Sequence, residues 1–141
     1  MKKKSVILIA DDDSDDCYLM RLAFEECKIE NPIIFFHSGL DIVEYVNQHE
    51  VIKEKSIGLI ILDLNMPKMD GKETLSNLKC HPSWRKIPVV VMTTSKTPED
   101  INQCYNLGAS SYITKPSSYD DLNFTIKTMV KLWLNHANLP A

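Results

Sequence analysis

Short apolar runs and helical stripes alternate along this chain. Four apolar runs predict strands, Ser5 to Ala10, Ile33 to Phe36, Leu59 to Asp63 and Val89 to Met92, and the mixed segment Ser111 to Thr114 predicts a fifth. The runs Ser5 to Ala10 and Leu59 to Asp63 read as strands buried on both faces. Between them, apolar residues recur at helical spacing. Cys17, Met20, Phe24 and Cys27, widened by Leu19, Leu22 and Ala23, predict a first helix. Ser14 can cap it, Asp15 and Asp16 lie in its first turn, and Pro32 ends it. Ser38 and Asp41 open a second helix carrying Leu40, Val43 and Val46. A third follows Gly71 to about Lys79, with Leu75 and Leu78 inward and Pro82 beyond its end. Thr97, Pro98, Glu99 and Asp100 start a fourth, where Ile101, Cys104 and Leu107 face inward and Gly108 stops it. Ser118 and Asp121 open the last, with Leu122, Ile126, Met129, Val130 and Trp133.

Strand and helix therefore alternate five times, which predicts an α/β fold with a parallel sheet and right-handed crossovers. The 141 residues predict one domain spanning 1–141, with no second folded unit, repeat or linker. A net charge of -3 gives no pointer to nucleic acid or to an anionic membrane. Met1-Lys2-Lys3-Lys4 is followed by an apolar run too short for a signal peptide and ended by three aspartates. No stretch approaches a membrane span, so a cytoplasmic protein is expected. Cys17, Cys27, Cys80 and Cys104 form no Cys-x-x-Cys pair and no zinc-like spacing with His37, His49, His81 or His136. They read as reduced, mostly buried cysteines.

The predicted strand ends carry the polar chemistry. The first gives Asp11, Asp12 and Asp13, the third Asp63, the fourth Thr93, Thr94 and Ser95, and the fifth Lys115 and Pro116. In a parallel sheet these ends share one rim, where ligands bind. Two carboxylates 4 Å apart repel by about 4 kcal/mol at an effective dielectric of about 20, so such a cluster calls for a cation. Carboxylates with carbonyls and waters are the ligand set of Mg²⁺. A divalent ion, a lysine, a threonine hydroxyl and an accessible aspartate suit the transfer of a phosphoryl group to that aspartate.

These residues resemble a family. Ile7-Leu8-Ile9-Ala10-Asp11-Asp12, Ile61-Leu62-Asp63-Leu64-Asn65-Met66-Pro67 with Met69-Asp70-Gly71, Pro88-Val89-Val90-Val91-Met92-Thr93 and Gly108-Ala109-Ser110-Ser111-Tyr112-Ile113-Thr114-Lys115-Pro116 look like the receiver domains of two-component response regulators. The likeness covers nearly the whole chain, in order. It implies a flavodoxin-like (βα)5 three-layer sandwich with strand order 2-1-3-4-5. It also implies roles. Asp63 matches the phosphorylated aspartate. Asp12 matches the main Mg²⁺ ligand, with Asp11 acting through a metal-bound water and Asn65 through its backbone carbonyl. Thr93 matches the switch hydroxyl, Tyr112 the aromatic that swings inward on activation, and Lys115 the phosphate-binding lysine. The peptide bond before Pro116 is usually cis in this family.

Two positions depart from the pattern: Thr94 stands where alanine is common, and Ser95 takes a position that tunes dephosphorylation. The insertion around Ser56 and the segment from His81 to Pro88, with Thr93-Thr94-Ser95, look most like the small stand-alone regulators paired with phytochrome-type and other hybrid histidine kinases. The expected function is a single-domain switch, not an enzyme beyond its own phosphorylation and dephosphorylation. It takes phosphate from a histidine kinase or histidine phosphotransfer protein and acts on a downstream protein partner. A homodimer contact through the fourth helix, fifth strand and fifth helix is a further expectation. An aspartate-based phosphatase of the haloacid dehalogenase type is one alternative, but it needs Asp-x-Asp, and Asn65 replaces the second acid. A receiver-like module that binds partners without phosphorylation is the other.

Overall fold

The computed structural model describes residues 5–48 and 57–136. The amino-terminal lysines and the region around Ser56 lie outside the described residues. The elements run β1 (Val6–Ala10), α1 (Ser14–Glu26), β2 (Ile33–Phe36), α2 (Gly39–Gln48), β3 (Ile57–Leu62), α3 (Gly71–Cys80), β4 (Val89–Thr93), α4 (Pro98–Asn106), β5 (Ser111–Thr114) and α5 (Tyr119–Val130). A π-helical segment, Lys131–His136, continues α5. The strands form one parallel sheet in the order β2-β1-β3-β4-β5.

Alternation along the strands builds two cores. Leu8, Ala10, Ile60, Leu62, Val89 and Val91 face α2, α3 and α4, where Ile42, Leu75, Leu78 and Cys104 meet them. Ile7, Ile9, Leu59, Ile61, Val90 and Met92 face α1 and α5, against Met20, Phe24, Ile126 and Met129. The three central strands are buried along their whole length, which is why they read as continuous apolar runs.

The helix starts follow local chemistry, with one correction. Thr97 and Ser118 cap α4 and α5, accepting the N–H groups of Asp100 and Asp121. Asp41 N–H reaches Ser38 Oγ at 3.1 Å. For α1 the cap is Asp13, not Ser14: its Oδ1 accepts from Asp15 N–H at 2.9 Å and Asp16 N–H at 3.1 Å. Both residue types can cap, and the one that stays extended does so. Asp13 has φ -83° and ψ 113°, while Ser14 is already helical.

Three further differences concern faces and ends. Leu19 is 40% exposed and lies off the buried stripe of α1. In α2 the stripe runs through Ile42, Val43 and Val46, with Leu40 half-buried. Strand β3 begins at Ile57 and stops at Leu62, so Asp63 lies just past its end. Trp133 packs half-buried on the core between α1 and α5. The four cysteines are all free, Cys17 and Cys104 buried, Cys27 half-buried and Cys80 exposed. No helix among the described residues is long and apolar enough to cross a membrane.

Candidate functional site

The sheet register brings the polar strand ends together. Ala10 pairs with Leu62, so Asp11 and Asp63 follow neighbouring positions, and Asp63 N–H donates to the Ala10 carbonyl at 2.9 Å. Thr93 pairs with Thr114, and Lys115 N–H donates to the Thr93 carbonyl at 2.8 Å. Asp11, Asp12 and Asp63 each offer a carboxylate oxygen, and these oxygens lie within 4.8 Å of one another. Asp11 and Asp63 are buried, and Asp12 is exposed.

Lys115 answers this negative charge. Its Nζ lies 2.9 Å from Asp11 Oδ2, 2.9 Å from Asp63 Oδ2 and 2.6 Å from Asp16 Oδ2. The lysine side chain is 14% exposed, so these pairs are weakly screened. Burial opposes its charge, but the bonds to Asp16, Asp63 and Asp11 outweigh burial and hold the ammonium well above the usual lysine range. Burial pushes the Asp11 carboxyl up to about 6, against the opposing pull of the Asp13 N–H and Lys115. The other oxygen of Asp63, Oδ1, accepts from Leu64 N–H at 2.7 Å and Asn65 N–H at 3.5 Å. Two backbone donors therefore aim the carboxylate.

Thr93 is fully buried, and its hydroxyl has no hydrogen-bond partner among the described residues. A buried hydroxyl left unpaired costs about 1–3 kcal/mol, so this group is suited to a ligand that brings an acceptor. The donor set of the acidic cluster is all oxygen, as a hard divalent cation requires. The residues thus fit a divalent metal beside an anion.

The remaining expected residues are spread around this centre. Asn65 and Thr94 are exposed, and Pro116 is half-buried. Pro116 and Lys115 line a cavity of about 100 Å³ between α1 and α5, with Asp16, Met20 and Leu122. The bond before Pro116 is trans, against the cis form that the resemblance implies; there is no cis peptide bond among the described residues. Tyr112 is half-buried, and its hydroxyl donates to the Ser95 carbonyl at 2.9 Å.

Asp16 is the site residue that the sequence did not disclose. It reads as an ordinary first-turn acid, and nothing near it in sequence points to Lys115. Gly71 is a second contributor. A Cβ there would stand 2.2 Å from the Asp63 carbonyl oxygen, so α3 can close on the Asp63 loop because this residue has no side chain.

Comparison with known proteins agrees with this geometry. Residues 7–127 match the response regulator receiver domain. Response regulator Rcp1 of Synechocystis sp. is 34% identical, over 96% of this chain and 93% of that protein. The probable methanogenesis regulatory protein FilR2 of Methanothrix harundinacea is 33% identical, over 96% of this chain and 87% of its own length. The crystal structure of the phosphorylated cyanobacterial phytochrome response regulator RcpA is 32% identical, with a TM-score of 0.89 over 99% of this chain and 100% of that one. The Mn²⁺-bound form of Rcp1 is also similar, with a TM-score of 0.85 at 34% identity over 97% of this chain and 99% of that one. The buried carboxylates, the lysine among them and the matching family description lead to one conclusion: the chain belongs to the response regulator receiver domain family of two-component signalling.

Proposed function

We propose that Asp63 accepts a phosphoryl group from a histidine kinase or a histidine phosphotransfer protein, and that the chain then passes the signal on by protein contact. The carrying observation is the joint placement of buried Asp63, the Lys115 ammonium on its Oδ2 and the unpartnered buried hydroxyl of Thr93. A carboxylate oxygen of Asp63 bonds to phosphorus as the phosphorus–nitrogen bond of the donor breaks. The donor histidine nitrogen keeps the electron pair. Asp63 Oδ1 is fixed by backbone N–H groups, while Oδ2 faces the lysine. Lys115 then exchanges a carboxylate contact for the phosphoryl oxygens, and Thr93 donates its hydroxyl to one of them.

Asp11, Asp12 and Asp63, with the backbone carbonyl of Asn65, would hold Mg²⁺. When bound, Mg²⁺ offsets negative charge on the phosphoryl oxygens. Thr94 and Pro116 border the site, and Tyr112 links it to β5. The phosphatase alternative lacks its second acid, because Asn65 stands there. The chain acts as one receiver domain over 1–141, in the cytoplasm, as a switch and not as a turnover enzyme. A homodimer contact through α4, β5 and α5 is part of this proposal, supported by exposed Tyr105 on α4 and exposed Phe124 on α5.

The test is incubation with Mg²⁺ and a small acyl phosphate, followed by intact mass measurement. The expected product carries one added phosphoryl group, and Asp63→Asn carries none, since an amide is no phosphoryl acceptor. Full labelling of that variant would overturn the assignment.

A further inference from the structure

A second polar cluster lies on the loop that joins β4 to α4. Ser95 Oγ donates to Asp100 Oδ2 at 2.5 Å, and Lys72 Nζ donates to Asp100 Oδ1 at 2.5 Å. Lys72 also donates to the side chain of Gln103. The Ser95 carbonyl accepts the Tyr112 hydroxyl at 2.9 Å. Lys72 is the second residue of α3, and its neighbour Gly71 donates its N–H to the Leu64 carbonyl at 2.8 Å, next to Asp63. Ser95 follows Thr93 by two residues. The chain of contacts therefore ties the segment behind Asp63 to the segment behind Thr93, although Lys72 and Asp100 are 28 residues apart.

We propose that Lys72 and Asp100 form a latch that fixes Ser95 and the loop behind Thr93, and so sets the lifetime of a phosphoryl group on Asp63. This rests on the phospho-acceptor reading of Asp63. In hydrolysis a water oxygen bonds to phosphorus and the phosphorus–oxygen bond to Asp63 breaks. Asp63 keeps the electron pair as a carboxylate, and the water protons leave with inorganic phosphate. The water must pass the rim that the loop from Thr94 to Thr97 borders. With the latch closed, the Ser95 hydroxyl is engaged by Asp100 and cannot orient that water. With the latch broken, the hydroxyl is released and the loop loses its tether to α3.

Lys72 and Ser95 hold the Asp100 carboxyl down at about 2. Such a shift stabilises above the ordinary carboxylate range and is lost only as the pH falls through about 2, so the latch stays charged at neutral pH. Lys72 and Asp100 are positioning residues, since neither touches Asp63.

The experiment labels Asp63 with a small acyl phosphate and Mg²⁺, removes the donor and follows the loss of the added mass. Lys72→Met and Asp100→Ala should each shorten the half-life about two- to fivefold, the range for a partly exposed ion pair. The double variant should be no faster than the faster single one, because the two residues act as a unit. Lys72→Arg, which keeps the charge, should stay close to the parent. A merely structural role would lower the melting temperature and leave the half-life alone. Unchanged half-lives in both single variants, or effects that multiply in the double variant, would overturn the latch. If Asp100→Ala does not fold, Lys72→Met against Lys72→Arg decides. A parent protein that takes no label overturns both the latch and the phospho-acceptor reading, whereas a labelled parent with indifferent variants overturns the latch alone.

Discussion

Asp13 directs its carboxylate onto the N–H groups of Asp15 and Asp16, while Asp12 beside it joins the acidic cluster. Asp11 turns into the core, where its Oδ1 accepts the Asp13 N–H at 2.9 Å and its Oδ2 meets Lys115. Three identical side chains in a row thus do three jobs, set by the direction in which each leaves the end of β1. Their substitutions should separate. Asp12→Ala should weaken Mg²⁺ binding by at least about tenfold, the lower end of what even supporting groups around a metal contribute. Asp13→Ala should leave that affinity nearly unchanged and cost about 1 kcal/mol of stability through the lost cap. Calorimetric Mg²⁺ titration and urea denaturation of both variants measure this. Equal losses of affinity would show that the two residues share the metal.

At the scale of elements, α3 is placed by its first residue. Gly71 is buried, and its N–H donates to the Leu64 carbonyl at 2.8 Å. A Cβ would meet the Asp63 carbonyl oxygen at 2.2 Å and the Leu64 Cα at 2.5 Å, both backbone atoms that have little room to give. Gly71→Ala should therefore destabilise by about 1–3 kcal/mol, the usual cost of overpacking, although alanine favours helices. It should also slow labelling of Asp63, because the displaced atoms carry that carboxylate. Urea denaturation and the rate of acyl phosphate labelling read the two effects. An alanine variant as stable as the parent would show that the loop yields freely. The segment between α3 and β4 is held differently. Trp84 is 1% exposed and packs edge-on against Tyr45, and Lys79 Nζ donates to the Arg85 and Ile87 carbonyls. These contacts turn an irregular segment into part of the core wall.

At the scale of the whole molecule, the homodimer contact needs apolar surface that the core does not use, and the apolar end of α5 with the segment that continues it is one candidate. Most of it is used inside: Met129 and Val130 are buried, and Trp133 and Leu134 pack against the α1–α5 core. Trp133→Ala would thus report on folding, not on association. Phe124 is 72% exposed, and it is the suitable probe for the proposed homodimer contact. Sedimentation with and without a phosphoryl mimic should show association that Phe124→Asp abolishes. Monomers in both states at high concentration would remove the dimer and leave contact with other proteins as the output.

The order of elements was readable from the chain because periodicity and caps depend on residues a few positions apart. The runs at Ile33 to Phe36 and Ser111 to Thr114 became strands with those same ends, and Thr97, Pro98 and Ser118 started helices as their chemistry predicts. Once five strands are parallel, Asp11, Asp63, Thr93 and Lys115 must share a rim, so that part of the site was legible as well. The choice of Asp13 over Ser14 as cap was not, because two adequate caps differ only in which backbone stays extended. Nor was the role of Asp16. Its bond to Lys115 joins residues 99 positions apart and exists because α1 packs with its first turn beside the end of β5. The Lys72–Asp100–Ser95 latch depends likewise on how α3 and α4 lie against each other. Local hydrogen bonds and burial periodicity are written in neighbouring residues, whereas the ion pairs that tune the site arise only after the helices have packed on the sheet.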